Sequence, residues 1–131
     1  MEFELKKGNT VNKVYLELAF PPSGNIYYRY VNSKVLRSKK AKDYIKYVGL
    51  IWLHSKQKSF SKDKRLKLEI FVMSKDKRKR DLDNLLKILC DAMEEARIFN
   101  DDSQIDEIVI TRGKQHFDHK VLINLTTYSP F

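Results

Sequence analysis

The sequence predicts an α+β fold of the α/β type: one domain with a mixed β-sheet and two main helices, in the order β-(ββ)-α-β-α-β-β. Three observations predict it. Segments of strict apolar–polar alternation, the mark of half-buried strands, are interleaved with two stretches whose apolar residues recur at offsets of three and four. The chain has 131 residues, 42% of them hydrophobic, which is about one domain's length and enough to bury roughly two-thirds of its unfolded surface. No repeat, Gly/Ser linker or low-complexity tract divides it, so residues 1–131 read as a single domain, with residues 1–10 as an extra N-terminal segment.

The elements follow in order. Val14, Leu16, Leu18 and Phe20 alternate with Tyr15 and Glu17, giving a strand over Val14–Phe20. Pro21-Pro22-Ser23-Gly24-Asn25 breaks it, because proline donates no ladder hydrogen bond and Gly and Asn tolerate unusual backbone angles. Ile26–Tyr30 and Lys34–Arg37 read as two short strands about a turn at Asn32-Ser33. Ser38 is placed to cap a helix running to about Gln57, with Ala41, Ile45, Val48 and Trp52 as its apolar stripe. Leu66–Met73 alternates again, with Leu66, Leu68, Ile70 and Val72 inward. A second helix covers Leu82–Arg97, its apolar positions being Leu82, Leu85, Leu86, Leu89, Met93 and Ala96. Ile108 and Ile110, then Val121, Ile123 and Leu125, mark two closing strands with a turn near His116–His119.

Several function classes drop out. The longest apolar run, Val48–Leu53, is six residues and contains Gly49, too short to span a bilayer. The start, Met1-Glu-Phe-Glu-Leu-Lys-Lys, lacks the cationic-then-apolar pattern of a signal peptide, so a cytoplasmic protein is expected. One cysteine, Cys90, forms no internal disulfide. With no C-x-x-C pair, and His54 far from His116 and His119, a structural zinc site is not expected.

Charge is more informative. The net is +9, but residues 1–80 carry 21 basic and 7 acidic side chains, while residues 81–131 carry 5 basic and 10 acidic. A basic two-thirds joined to an acidic remainder describes a polyanion-binding surface with something anionic set into it. Carboxylates repel a phosphate ligand unless a cation lies between them.

Asp81-Leu82-Asp83 opens the second helix. As structure, Asp81 is an N-cap, Asp83 complements the helix dipole, and Lys87 pairs with Asp83 at i, i+4. As ligands, two carboxylates two residues apart diverge by about 200° within a helix, so they converge on one cation only if Asp81 is still in the loop. A cap residue is in the loop, so the two geometries coincide. Asp101-Asp102, after the helix, is either a solvated turn or a further oxygen donor for a hard cation such as Mg²⁺. The helix is about 24 Å long, so Asp102 meets Asp81 only if the fold returns the helix's far end to its start. The run Lys75-Asp-Lys-Arg-Lys-Arg80 feeds into the paired aspartates, and Tyr27-Tyr28-Arg29-Tyr30 interleaves aromatic and basic side chains. Both are ordinary as loop and strand, and both suit nucleic acid. Cys90, with no basic sequence neighbour, reads as a packed helix residue.

Taken together, Pro21-Pro22-Ser23-Gly24-Asn25-Ile26-Tyr27-Tyr28-Arg29, Arg80-Asp81-Leu82-Asp83-Asn84-Leu85-Leu86-Lys87, Asp91-Ala92-Met93 and Asp101-Asp102-Ser103-Gln104 resemble the RusA-type Holliday junction resolvases, in that family's order and spacing, over residues 14 to 127. The resemblance implies a homodimeric, Mg²⁺-dependent endonuclease of phage or bacterial origin, with Mn²⁺ as a substitute ion and no organic cofactor. It would resolve four-way DNA junctions by paired nicks in recombination and repair. It implies that Asp81, Asp83 and Asp102 are the metal-holding catalytic carboxylates and Lys87 the catalytic lysine. It further implies DNA contacts from Ser23, Asn25, Arg29, Lys77, Arg78, Lys79, Arg80 and Asn84. Gly24, where some members carry asparagine, is a departure. The alternatives are a non-catalytic nucleic-acid-binding module, and a metal nuclease acting on flaps, duplex or RNA.

Overall fold

The structure is a computed structural model that describes residues 11–22, 28–74, 82–113 and 119–128, the side chains of 28–30 excepted. Among the described residues six strands and two helices appear in the expected order: β1 (Lys13–Ala19), β2 (Tyr28–Val31), β3 (Lys34–Arg37), α1 (Lys39–Ser55), β4 (Leu66–Met73), α2 (Leu82–Glu95), β5 (Ile105–Arg112) and β6 (Lys120–Thr127). A single 3₁₀ turn, Asp102–Gln104, precedes β5.

The sheet is mixed, with strand order β1-β6-β4-β5. β6 pairs antiparallel with β1 and β4, whereas β4 and β5 are parallel. Parallel neighbours need a long crossover, and α2 supplies it. The two closing strands are therefore not neighbours of one another. Alternation works as expected: Val14, Leu16 and Leu18, then Leu66, Leu68, Ile70 and Val72, then Val121, Ile123 and Leu125 are all buried. They form one core cluster with Ala41, Tyr44, Val48 and Trp52 of α1 and Leu85, Ile88, Leu89, Ala92 and Met93 of α2. Ile45, Leu82, Leu86 and Ala96 are only partly buried against that core.

β2 and β3 form a separate hairpin whose register, Val31 opposite Lys34, leaves a two-residue turn at Asn32-Ser33. Both turn residues have positive φ, 49° and 63°, the type I′ arrangement that matches the twist of a two-stranded ribbon. Ser38 does cap α1, its hydroxyl accepting from the Ala41 N–H at 3.2 Å. The helix stops two residues before Gln57 because Lys56 turns left-handed, φ 57°. Gln57 then acts as a surrogate strand for β1: its amide donates to Tyr15 O at 2.7 Å and accepts from Tyr15 N–H at 2.9 Å. One sheet edge is thus covered at that point. The other edge is β5.

α2 also ends earlier than the periodicity alone suggests. Arg97 is left-handed, φ 65°, and the N–H groups of Arg97 and Ile98 return to Glu94 O and Met93 O at 3.0 and 3.1 Å. This is a Schellman closure, sealed by the fully buried pair Met93 and Ile98. It turns the chain off the helix and toward Asp101-Asp102. The segments 1–10, 23–27, 75–81 and 114–118 lie outside the described residues, and with them the Ser23–Asn25 break, the basic run and the turn at His116. Among the described residues no helix is long and apolar enough to cross a membrane.

Candidate active site

α2 lays a polar stripe along one side. Asp83, Lys87, Asp91 and Glu94 follow at offsets of four, four and three, which keeps them on one helix face. They line a groove of about 400 Å³ with Cys90 and Asp102. Leu86, Ile105 and Ile108 supply its apolar wall. Ile108 is paired with Leu68 and faces the helix side of the sheet, yet it is 44% exposed, because β5 is an edge strand that α2 does not fully cover.

Topology decides where the carboxylates stand. A helix joining parallel neighbours starts beyond the end of the first strand and must run back to the start of the second. Asp83 is in the first turn of α2, and Asp102 follows its far end, just before Ile105, which pairs with the first residue of β4. The Asp102 N–H donates to Glu94 Oε1 at 2.9 Å. Asp83 and Glu94 are eleven residues apart, about 16 Å along the axis. Within one chain the groove runs from Asp83, in the first turn of α2, to Asp102, beyond its far end. The return of Asp102 to Asp81 that the sequence left as a condition involves a residue outside the described ones.

At the far end, carboxylate oxygens of Glu94, Asp101 and Asp102 lie within 4.8 Å of one another. Asp101 caps the 3₁₀ turn, accepting from Ser103 N–H at 2.9 Å, and that bond first of all pulls its carboxyl below the usual range. Asp102 is pushed the other way, by partial desolvation, by its hydrogen bond with Asp101 and by the charge of Glu94. Crowded carboxylates of this kind favour a proton or a cation between them, and an all-oxygen donor set suits a hard divalent ion over a soft one. The Cys90 thiol is pushed up to about 12, first by burial and then by Asp102, Glu94 and Asp91. It stays a thiol, as a packed helix residue should.

The structure places Asp83, Lys87 and Asp102 on the groove, while Asn84 is exposed and is not among its lining residues. Asp81, Ser23, Asn25, Lys77, Arg78, Lys79, Arg80 and the side chain of Arg29 lie outside the described residues. Glu94 and Arg37 had not been singled out from the sequence. Arg37 Nη2 donates to Asp91 Oδ1 at 2.7 Å and Nη1 to Glu95 Oε1 at 3.1 Å, fastening the β2–β3 hairpin to α2. Continuing the stripe from Asp83 along α2 would have found Glu94; nothing local marks Arg37, 54 residues from its partner.

The fold and groove describe a small mixed-sheet protein with carboxylates suited to a hard cation. The sequence matches the family model described as endodeoxyribonuclease RusA over residues 19–126, and the chain belongs to that family. Named relatives include the crossover junction endodeoxyribonuclease rusA of Enterobacteria phage HK97, 38% identical over 103 residues, covering 79% of this chain and 85% of the relative. The Aquifex aeolicus RusA is 31% identical over 108 residues, covering 79% and 84%. That of Escherichia coli K12 is 32% identical over 95 residues, covering 72% and 78%.

Proposed function

We propose that this chain is a Holliday junction resolvase: a homodimeric, Mg²⁺-dependent endodeoxyribonuclease that makes paired symmetric nicks in four-way DNA junctions during recombination and repair in the cytoplasm of a bacterial or phage-infected cell. Residues 1–131 then form one endonuclease domain, residues 1–10 being an added segment. Family membership supports the reaction class. The observation that carries the mechanism is the division of the carboxylates between the two ends of α2.

Two copies laid antiparallel along this groove solve that division. A two-fold axis across the middle of α2 sets Asp83 of each copy beside Asp102 and Glu94 of the other, and completes two sites rather than one. The edge strand β5 and the half-exposed Ile108 give the second copy an apolar seat. Two sites related by a two-fold axis match a junction whose opposing strands are also two-fold related.

Asp81, Asp83 and Asp102 would hold Mg²⁺, or Mn²⁺ in its place. When bound, such an ion eases deprotonation of the attacking water and stabilises charge on the phosphoryl oxygens. The chain's own part is positional. Lys87, one turn beyond Asp83, sets an ammonium toward the scissile phosphate or the departing oxygen. Ser23, Asn25, Arg29, Lys77, Arg78, Lys79, Arg80 and Asn84 bind backbone phosphates, which fixes the junction's register without reading sequence directly.

Cleavage of a synthetic four-way junction, a flap and a linear duplex, each with and without Mg²⁺, tests the reading. Paired nicks confined to the junction and to Mg²⁺ are expected. Binding without cleavage under any divalent ion would leave a nucleic-acid-binding module, and equal cleavage of flap or duplex would leave a general metal nuclease. The basic run gives a separate expectation. Replacing Lys77, Arg78, Lys79 and Arg80 together should weaken junction and duplex binding alike, and lower the slope of log K against log salt by about 0.9 per lost contact. An unchanged slope across a salt series would remove the run from the interface.

A further inference from the structure

The structure assigns Gln104 as the positioning residue of the Asp102 carboxylate, an inference that rests on reading Asp102 as a metal ligand. Gln104 is the one buried polar or charged side chain among the described residues, 3% exposed. All four of its amide bonding positions are used. Oε1 accepts from the Asn100 and Asp101 N–H groups at 2.8 and 3.0 Å, and Nε2 donates to Ser61 O and Lys64 O at 3.0 and 2.9 Å. Two N–H donors on one side and two carbonyls on the other fix which way the amide points.

Those partners belong to two segments distant in sequence. Asn100 and Asp101 immediately precede Asp102; Ser61 and Lys64 lie in the connection before β4. That connection is itself bound to the chain leaving α2: Phe60 N–H donates to Ile98 O at 3.0 Å, and the Ser59 hydroxyl donates to Arg97 O. Arg65 adds a second strut, from Nη2 to Ser103 O at 2.7 Å, with its guanidinium on Asp106. The Asp102 N–H goes to Glu94. The turn bearing Asp102 is therefore held by α2 on one side and by the 59–65 strap on the other, with Gln104 as the buried joint.

A joint of this kind has a signature that a purely structural glutamine lacks. Loosening it moves a ligand and so weakens metal binding, whereas the basic residues read as DNA contacts are unchanged and keep their hold on DNA. Outer-shell partners of metal ligands are worth about 10–100-fold in metal affinity. Gln104→Glu is the sharper probe, because a carboxylate still accepts from Asn100 and Asp101 but faces Ser61 O and Lys64 O without a donor. Gln104→Met removes all four bonds at similar volume.

The experiment titrates Mn²⁺ alone into each intact protein, followed by electron paramagnetic resonance, with thermal unfolding and metal-free junction binding measured in parallel. Both variants should raise the Mn²⁺ dissociation constant by about tenfold or more while junction affinity stays at the wild-type value. Wild-type Mn²⁺ affinity in folded Gln104→Glu, beside an Asp102→Asn protein that has lost it, would overturn the proposal. Undiminished Mn²⁺ binding by Asp102→Asn would instead overturn the reading of Asp102 beneath it. Should neither Gln104 variant fold, Arg65→Lys, which gives up the planar fork to Ser103 and Asp106, must show a smaller rise in the same direction. Unchanged affinity there counts against the strap.

Discussion

Asp83→Asn and Asp102→Asn should each lower junction cutting by at least about 10³-fold, with junction binding unchanged or tighter. Neither substitution enters the core, since both side chains are exposed on the groove. On the proposed reading each removes a negative charge that would face a phosphate, which favours binding of DNA. Asp81→Asn should behave alike, and because asparagine caps a helix as well as aspartate, its fold should survive. Single-turnover cleavage at saturating protein, beside equilibrium binding in the absence of metal, separates the two quantities. Full activity in Asp102→Asn would transfer its role to Asp101, whose carboxylate lies in the same cluster.

Lys87→Ala should cost roughly 10²-fold or more in cleavage rate, the scale of losing one oriented electrostatic donor. Lys87 is exposed on α2, one turn from Asp83. If it served only an i, i+4 pair, its loss would cost about 0.2–0.5 kcal/mol in stability and nothing in rate. The two accounts therefore differ in the observable that matters. Lys87→Arg keeps the charge but replaces a compact ammonium with a planar fork, so it should remain well below wild type at a constrained phosphate. Wild-type single-turnover cutting in Lys87→Ala would end the catalytic role.

What could be read from the sequence was whatever is local. Alternation in β1, β4 and β6 marks the buried face because side chains on a strand change sides at each residue. The Ser38 cap, the Asn32-Ser33 turn and the Asp83–Lys87 spacing each depend on fewer than six residues. The direction of pairing is not local: an alternating strand looks the same read parallel or antiparallel, so the parallel β4–β5 pair and its consequence for Asp102 were hidden. Arg37 finds Asp91 across 54 residues, and Gln104 finds Ser61 across 43. Helix ends failed for a related reason. Lys56 and Arg97 adopt left-handed backbone without glycine's freedom, held by cap bonds to Leu53 O and Glu94 O that no sequence pattern announces. Gln104 stood in the motif, but its purpose became visible only when the 59–65 strap was seen beside it.

The division of one site between two copies is tested most directly by mixing two inactive proteins. Asp83→Asn and Asp102→Asn chains, co-refolded or co-expressed with separable tags, should form a mixed dimer in which the substitutions fall together. If Asp83 of one copy works with Asp102 of the other, one site of the mixed dimer carries both changes and its companion carries neither. The account predicts that the purified mixed dimer nicks one strand of a junction at a rate close to that of a single wild-type site. It also predicts that a supercoiled plasmid bearing a cruciform is converted to nicked circles and not to linear DNA. A mixed dimer as inactive as its two parents would contradict it, because sites completed within one chain each retain one substitution.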